Sequence, residues 1–244
     1  MKTYFKLILL LSITSPVFAQ SGFKTHQLTF ERVKTAYDEK WDSLQRELRQ
    51  TGIKGSFNLY LAAYKSEGKL ELWLQSGNEK RYKLFKTYDF CAHSGILGPK
   101  IKEGDLQTPE GFYYINVFNP ESKFHLSLGV NYPNKIDLLR SGQEKPGGDI
   151  YIHGNCVTVG CIPLTDEKIK EIYVLTVEAK NGGQLEIPVH IFPFKMTHKN
   201  LKKYLVQFPA QKAFWKNLQP GYAYFERHNV PPNVVLQEDK YLFK

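Results

Sequence analysis

Two side chains near the middle of the chain have the types and spacing for acyl transfer. They are His153 and Cys161, within Tyr151-Ile-His-Gly-Asn-Cys-Val-Thr-Val-Gly-Cys161-Ile-Pro-Leu-Thr-Asp166. A thiol becomes an effective nucleophile when a neighbouring imidazole controls its proton, and that histidine can then protonate a leaving amine. The short loop between the two residues can fold back and pair them. Cys161 precedes an expected helix start, where dipole and imidazolium together would lower a thiol pKa to roughly 3.5–7.5. Gly160 permits a tight turn there, and the N–H groups of Gly160 and Cys161 form a candidate oxyanion hole.

The same residues admit blander chemistry. Cys156 and Cys161 can form a disulfide that braces the loop. His153, Cys156 and Cys161 can hold zinc with Cys91, His93 or His190 as a fourth ligand, although the spacing matches no standard CxxC pair. Cys161 can also be a small buried hydrophobe. The chain has 3 cysteines, an odd count that leaves at least one free or paired with another molecule.

The elements around this loop follow from periodicity. Residues 29–50 place Val33, Tyr37, Trp41, Leu44 and Leu48 at helical spacing between charged residues, and Gly52 stops the run. From Ser56 the period becomes two. Phe57, Leu59, Leu61 and Ala63 alternate, then Leu70, Leu72 and Leu74, with Ser66-Glu67-Gly68 as the turn. Further strands are expected at 81–91, 111–118, 124–130, 149–153 and 185–192. Thr165 is a candidate N-cap for a helix over Ile169, Ile172, Tyr173 and Thr176, ended by Asn181-Gly182-Gly183. Helical spacing returns at 197–207 and 210–218. The predicted class is α+β and mainly β: a mostly antiparallel sandwich or open barrel with one inserted helix. The expected division is a signal peptide at 1–19, an N-terminal helical segment at 20–55, a catalytic domain at 56–194 and a C-terminal helical extension at 195–244.

Compartment and charge narrow the function. Lys2 and Lys6 precede the apolar run Leu7–Thr14, and Val17-Phe18-Ala19 supplies a cleavage signal, so export to the periplasm or cell envelope is expected. The run is shorter than the roughly 20 residues of a membrane span. The chain has 33 Lys+Arg against 24 Asp+Glu, and loss of Lys2 and Lys6 lowers the formal charge from +9 to +7. That balance suits an anionic partner such as a cell-wall polymer. The scattered lysines and the export signal argue against nucleic acid. His125 and His93 are candidate pocket-lining residues, Gly154 a substrate-contacting turn, and Arg140 a bidentate partner for a substrate carboxylate. Thr108-Pro109-Glu110-Gly111 reads as a turn. Tyr151 and Asp149 read as strand-edge residues, Cys156 as a loop cysteine and Cys91 as a strand core residue.

The His-Gly…Gly-Cys segment resembles the active-site motif of YkuD-type L,D-transpeptidases. Upstream, Ser94-Gly95-Ile-Leu-Gly98-Pro99-Lys100…Thr108-Pro109-Glu110-Gly111-Phe112-Tyr113 resembles that family's stretch ending Thr-Pro-x-Gly-x-Tyr/Phe. The likeness covers roughly residues 57–192. It is strongest to a murein L,D-transpeptidase-like branch with a segment like Tyr132-Pro133-Asn134 and a tail like Phe214-Trp215…Gly221-Tyr222…Phe225-Glu226. Thr158-Val159-Gly160-Cys161 departs from the commoner Ser-His-Gly-Cys, and the gap from His153 to Cys161 is shorter. The base role therefore falls to His153 alone.

The resemblance implies that Cys161 attacks a stem-peptide carbonyl of peptidoglycan to form a thioester. An amine acceptor then yields a cross-link, or water yields trimming or release. It implies no metal and no cofactor. The alternatives are a hydrolytic member of the same fold (an L,D-carboxypeptidase or amidase) and a non-catalytic peptidoglycan-binding protein. Oligomeric state is left open.

Overall fold

A computed structural model describes residues 21–77 and 79–244. The signal-peptide expectation at 1–19 lies outside the described residues. In chain order the elements are α1 (Ser21–Gln27), α2 (Glu31–Gln50), β1 (Phe57–Tyr64), β2 (Lys69–Ser76), β3 (Lys83–Asp89), β4 (Gly111–Asn119) and β5 (Ser127–Val130). They continue with α3 (Lys135–Ser141), β6 (Tyr151–His153), β7 (Ile162–Pro163), α4 (Asp166–Asn181) and β8 (Pro188–Phe192). The chain ends with α5 (His198–Gln207), α6 (Lys212–His228), β9 (Val234–Gln237) and β10 (Lys240–Phe243).

The first eight strands form one sheet in the order β3-β2-β1-β8-β4-β5-β6-β7. It is an α+β, mainly β architecture whose mixed sheet curls into a half-barrel. Five of its pairings are antiparallel, as expected, and two are parallel, β1 with β8 and β6 with β7. A second inserted helix, α3, accompanies the expected one.

Strand β1 explains the layering. Leu59, Leu61 and Ala63 enter a core shared with α2 and α4, while Tyr60, Ala62 and Tyr64 enter a second core built with α6. Strand β8 divides the same way, with Val189 and Ile191 on one side and Phe192 on the other. Side chains alternate across a strand, so a sheet covered on both faces becomes apolar at odd and even positions alike. Helix α2 contributes Val33, Ala36, Leu44 and Leu48 to the first core, and α4 adds Ile169, Ile172, Tyr173 and Val177. Thr165 caps α4 by accepting from Lys168 N at 3.4 Å.

The tail differs from a purely helical extension. Helix α6 runs on through Pro220 to His228, and a β9–β10 hairpin follows. Packing holds α6 together where local propensity favours a break. At Gly221 an added Cβ would stand 2.5 Å from the Phe112 ring and 2.4 Å from Phe243, so helix and sheet approach closely only through glycine. Asn134 caps α3 by accepting from Ile136 N at 2.8 Å and donates from Nδ2 to the Tyr241 hydroxyl at 3.0 Å. That joins the hairpin to the α3 end of the main sheet.

Candidate active site

The site is built at the edge of the sheet, where β6 and β7 run parallel. Ile152 pairs with Ile162 and His153 with Pro163. One residue before β7, Cys161 lies alongside Tyr151, whose N–H donates to the thiol sulfur at 3.4 Å. The thiol faces the Asp149 carbonyl at 3.5 Å. His153 stands two residues further along the same strand. Its Nδ1–H donates to the Gly154 carbonyl. Because a carbonyl can only accept, that contact assigns the proton to Nδ1 and leaves Nε2 as the basic nitrogen. The ring is 1% exposed and lies against Phe124 at a centroid separation of 4.6 Å. The sulfur is held by Tyr151 and Asp149, and the imidazole by the Gly154 carbonyl and Phe124.

Cys161 is the free cysteine among the described residues, and it is half-buried. Cys91 and Cys156 form a disulfide with Cα atoms 5.2 Å apart. This corrects three readings. Cys91 follows β3 rather than lying in it, Cys156 is spent on Cys91 rather than Cys161, and the zinc set loses two of its thiols. His190 is also remote from that set, buried against Phe112 and bonded through Nδ1 to the Tyr60 hydroxyl at 3.0 Å.

The electrostatics correct the activated-thiolate expectation. Helix α4 begins at Asp166, beyond β7, so its dipole does not end at the sulfur. Burial raises the Cys161 pKa above its ordinary value, with Asp149 adding to the rise and the Tyr151 amide and Lys100 opposing it. Burial lowers that of His153, against the pull of the Gly154 carbonyl. Both shifts favour the uncharged forms at pH 7 over a resting thiolate–imidazolium pair.

Lys65, Phe90, Ala92, His93, Ser94, Thr108 and Cys161 line a cavity of about 30 Å³. It admits little more than a side-chain tip. The L,D-transpeptidase catalytic domain model matches residues 60–191, from β1 to β8. The protein named "Putative L,D-transpeptidase YafK" from Escherichia coli K12 is 37% identical over 186 residues, covering 75% of this chain and 73% of that protein. This chain belongs to the L,D-transpeptidase catalytic domain family. Among solved structures, the helical cell shape determining protein Pgp2 of Campylobacter jejuni matches at 18% identity over 78% of this chain and 79% of that one, TM-score 0.44. A variant of the same protein matches over 64% of its own length, with a TM-score of 0.45. L,D-transpeptidase 1 of Mycobacterium tuberculosis matches at 14% identity over 56% of this chain and 62% of that one, TM-score 0.31.

Within this L,D-transpeptidase domain, the remaining candidate residues separate. Gly160 has φ +133°, and a Cβ there would stand 2.7 Å from the Gln107 carbonyl; only glycine fits. Its N–H already donates to the Thr158 hydroxyl at 3.2 Å, which corrects its assignment as an oxyanion donor. Gly154 is needed for packing rather than substrate contact, since a Cβ would meet Asp166 Oδ1 at 2.5 Å. His125 follows Phe124 and holds φ +69°. Its carbonyl accepts from Arg32 at 2.8 Å, and its ring is not among the residues lining the Cys161 cavity. Arg140 lies over the Phe214 ring at 3.7 Å, tying α3 to α6 instead of reaching for a carboxylate.

Sequence reasoning missed one buried assembly behind the L,D-transpeptidase cleft. The Lys65 ammonium donates to the carbonyls of Gly98 and Thr108 at 2.7 and 2.8 Å and to Glu110 at 3.0 Å. Glu110 also accepts from Gly98 N at 2.7 Å and from the Trp215 indole at 2.8 Å. One carboxylate thus joins β1, the 98–110 wall of the cleft and α6. The lone Glu110 in a Thr-Pro-x-Gly turn was its available trace.

Proposed function

We propose that the chain is a cysteine acyltransferase acting on the stem peptides of peptidoglycan in the periplasm. The observation that carries this reading is the free, half-buried Cys161 just before β7, next to the strand that holds a histidine whose tautomer is fixed by the Gly154 carbonyl, within a domain of the L,D-transpeptidase family. Cys161 attacks the carbonyl of the third stem residue while His153 Nε2 takes the thiol proton. The Cys161 N–H supports the oxyanion. The tetrahedral intermediate collapses to a thioester as the amine leaves with the proton from His153. An amine acceptor then restores the thiol and completes transfer, and water in its place gives hydrolysis.

The test incubates the mature protein and its Cys161→Ala variant with purified sacculi and defined tetrapeptide fragments, with products separated by mass. New cross-links between third residues, absent with the variant, are the expected result. Shortened stems or released attachments would instead identify a hydrolase on the same thioester route. Unchanged substrates with both proteins, each folded by circular dichroism, would refute the catalytic reading and leave a wall-binding protein.

A further inference from the structure

Charge is distributed unevenly along the chain. Between Glu186 and Glu226 there is no Asp or Glu, yet Lys195, Lys199, Lys202, Lys203, Lys212 and Lys216 all fall in that stretch. All six are exposed. Lys195 pairs with Glu71 at 2.7 Å. Among the described residues, none of the other five has a carboxylate within ion-pair distance.

Helical geometry gathers them. Lys199, Lys202, Lys203 and Val206 follow at i, i+3, i+4 and i+7, one stripe along α5. The opposite face of α5 turns Leu201, Tyr204, Leu205 and the following Phe208 toward the second core. On α6, Lys212 and Lys216 are one turn apart on the side away from buried Phe214, Trp215 and Leu218. The two helices adjoin the cleft wall. The Tyr204 hydroxyl lies 2.7 Å from that of Ser66, next to Lys65, and the Gln211 side chain lies 3.2 Å from where a Cβ would stand on Gly98.

We infer that this unneutralised lysine face is a docking surface for the carboxylate-bearing glycan–peptide polymer, holding the strand whose stem enters the Cys161 cleft. This rests on the peptidoglycan reading above. An anionic polymer fits better than a lipid surface because the apolar face of α5 is committed to the core. Val206, 80% exposed, is the one large apolar side chain on the stripe, too little to insert among acyl chains. Exposed charges attract a polyanion over about a Debye length, so the attraction weakens as salt rises.

The experiment is co-sedimentation of the full mature chain, carrying Cys161→Ala, with intact purified sacculi at low and high salt. It is repeated with all five unpaired lysines changed to glutamate, and again to glutamine. The expected result is salt-sensitive binding that drops at least ~5-fold in the glutamate set and less in the glutamine set. Turnover of a soluble tetrapeptide by the Cys161 versions should stay within about twofold, because a small substrate does not span the surface. Sedimentation of both lysine sets like the parent would overturn the proposal. So would tighter binding to phosphatidylglycerol vesicles than to sacculi, lost in the same variants, which would assign the face to a membrane. Because binding is read on the Cys161→Ala background, failure of catalysis and failure of docking are separate results.

Discussion

Burial moves the pKa of Cys161 up and that of His153 down, and both shifts favour the uncharged form at neutral pH. The reactivity of the resting thiol should therefore be low. Alkylation of Cys161 by iodoacetamide is expected to be slow at pH 7 and to rise through and beyond the ordinary thiol range, since the thiolate forms only above its raised pKa. His153→Ala should leave this profile nearly unchanged while lowering thioester formation on a stem peptide by roughly 10²–10⁴-fold. A labelling midpoint well below that of free cysteine, lost in His153→Ala, would show a resting ion pair and contradict the neutral one. The two candidate residues stood out in the sequence because glycines and chemistry-bearing side chains sit close together there. The disulfide was not. Pairing Cys91 with Cys156 depends on where two distant loops meet, which spacing alone does not encode.

At the scale of elements, the Glu110 carboxylate ties α6 to the eight-stranded sheet. Glu110→Ala would leave the Lys65 ammonium buried without its counter-charge and the Trp215 indole without its acceptor. A loss of about 3–5 kcal/mol is expected, read as the shift in urea midpoint. Trp215→Phe keeps most of the buried ring and removes one donor to a carboxylate, so about 1–3 kcal/mol is expected. Equal losses from the two variants would show that packing, not the shared carboxylate, sets the stability. Element legibility followed local signals. Helix α4 was readable from the Thr165 cap to the terminal Asn181-Gly182, because capping chemistry is local. Strand β7, Ile162–Pro163, is too short to carry a period. The reach of α6 past Pro220 was hidden because contacts with Phe112 and Phe243, far away in sequence, override a local helix breaker.

At the scale of the molecule, opposing titrations shape stability against pH. Asp137, which accepts from Tyr113 and from Asn134 N, has its carboxyl pushed up to about 7, chiefly by burial. Between its unfolded value near 4 and pH 7 the folded chain holds a proton that the unfolded chain releases, so this group's contribution falls as pH rises. His190, buried and neutral, is pushed down to about 3. Its contribution is complete above the unfolded histidine pKa and is lost as pH falls. Asp137→Asn should remove the first slope. Relative to wild type, the variant gains on the order of 3 kcal/mol between pH 4 and 8 in urea unfolding. Parallel stability curves for the two proteins across that range would refute the assignment. The two-sided covering of the sheet could have been read from the apolar even positions Tyr60, Ala62 and Tyr64. Alternation at the odd positions alone suggested one buried face.

The parallel pairing of β1 with β8 also orders events in time. Residues 61–64 pair early with β2, but their second ladder waits for residues 189–192, and Trp215 must follow before Glu110 is satisfied. A chain delivered N-terminus first presents Cys161 before either partner has arrived. The centre of the sheet closes late, at the slow pace set by contacts distant along the chain. The Cys161 thiol thus appears before its cleft is finished, and it comes into register only when nearly the entire chain has been delivered.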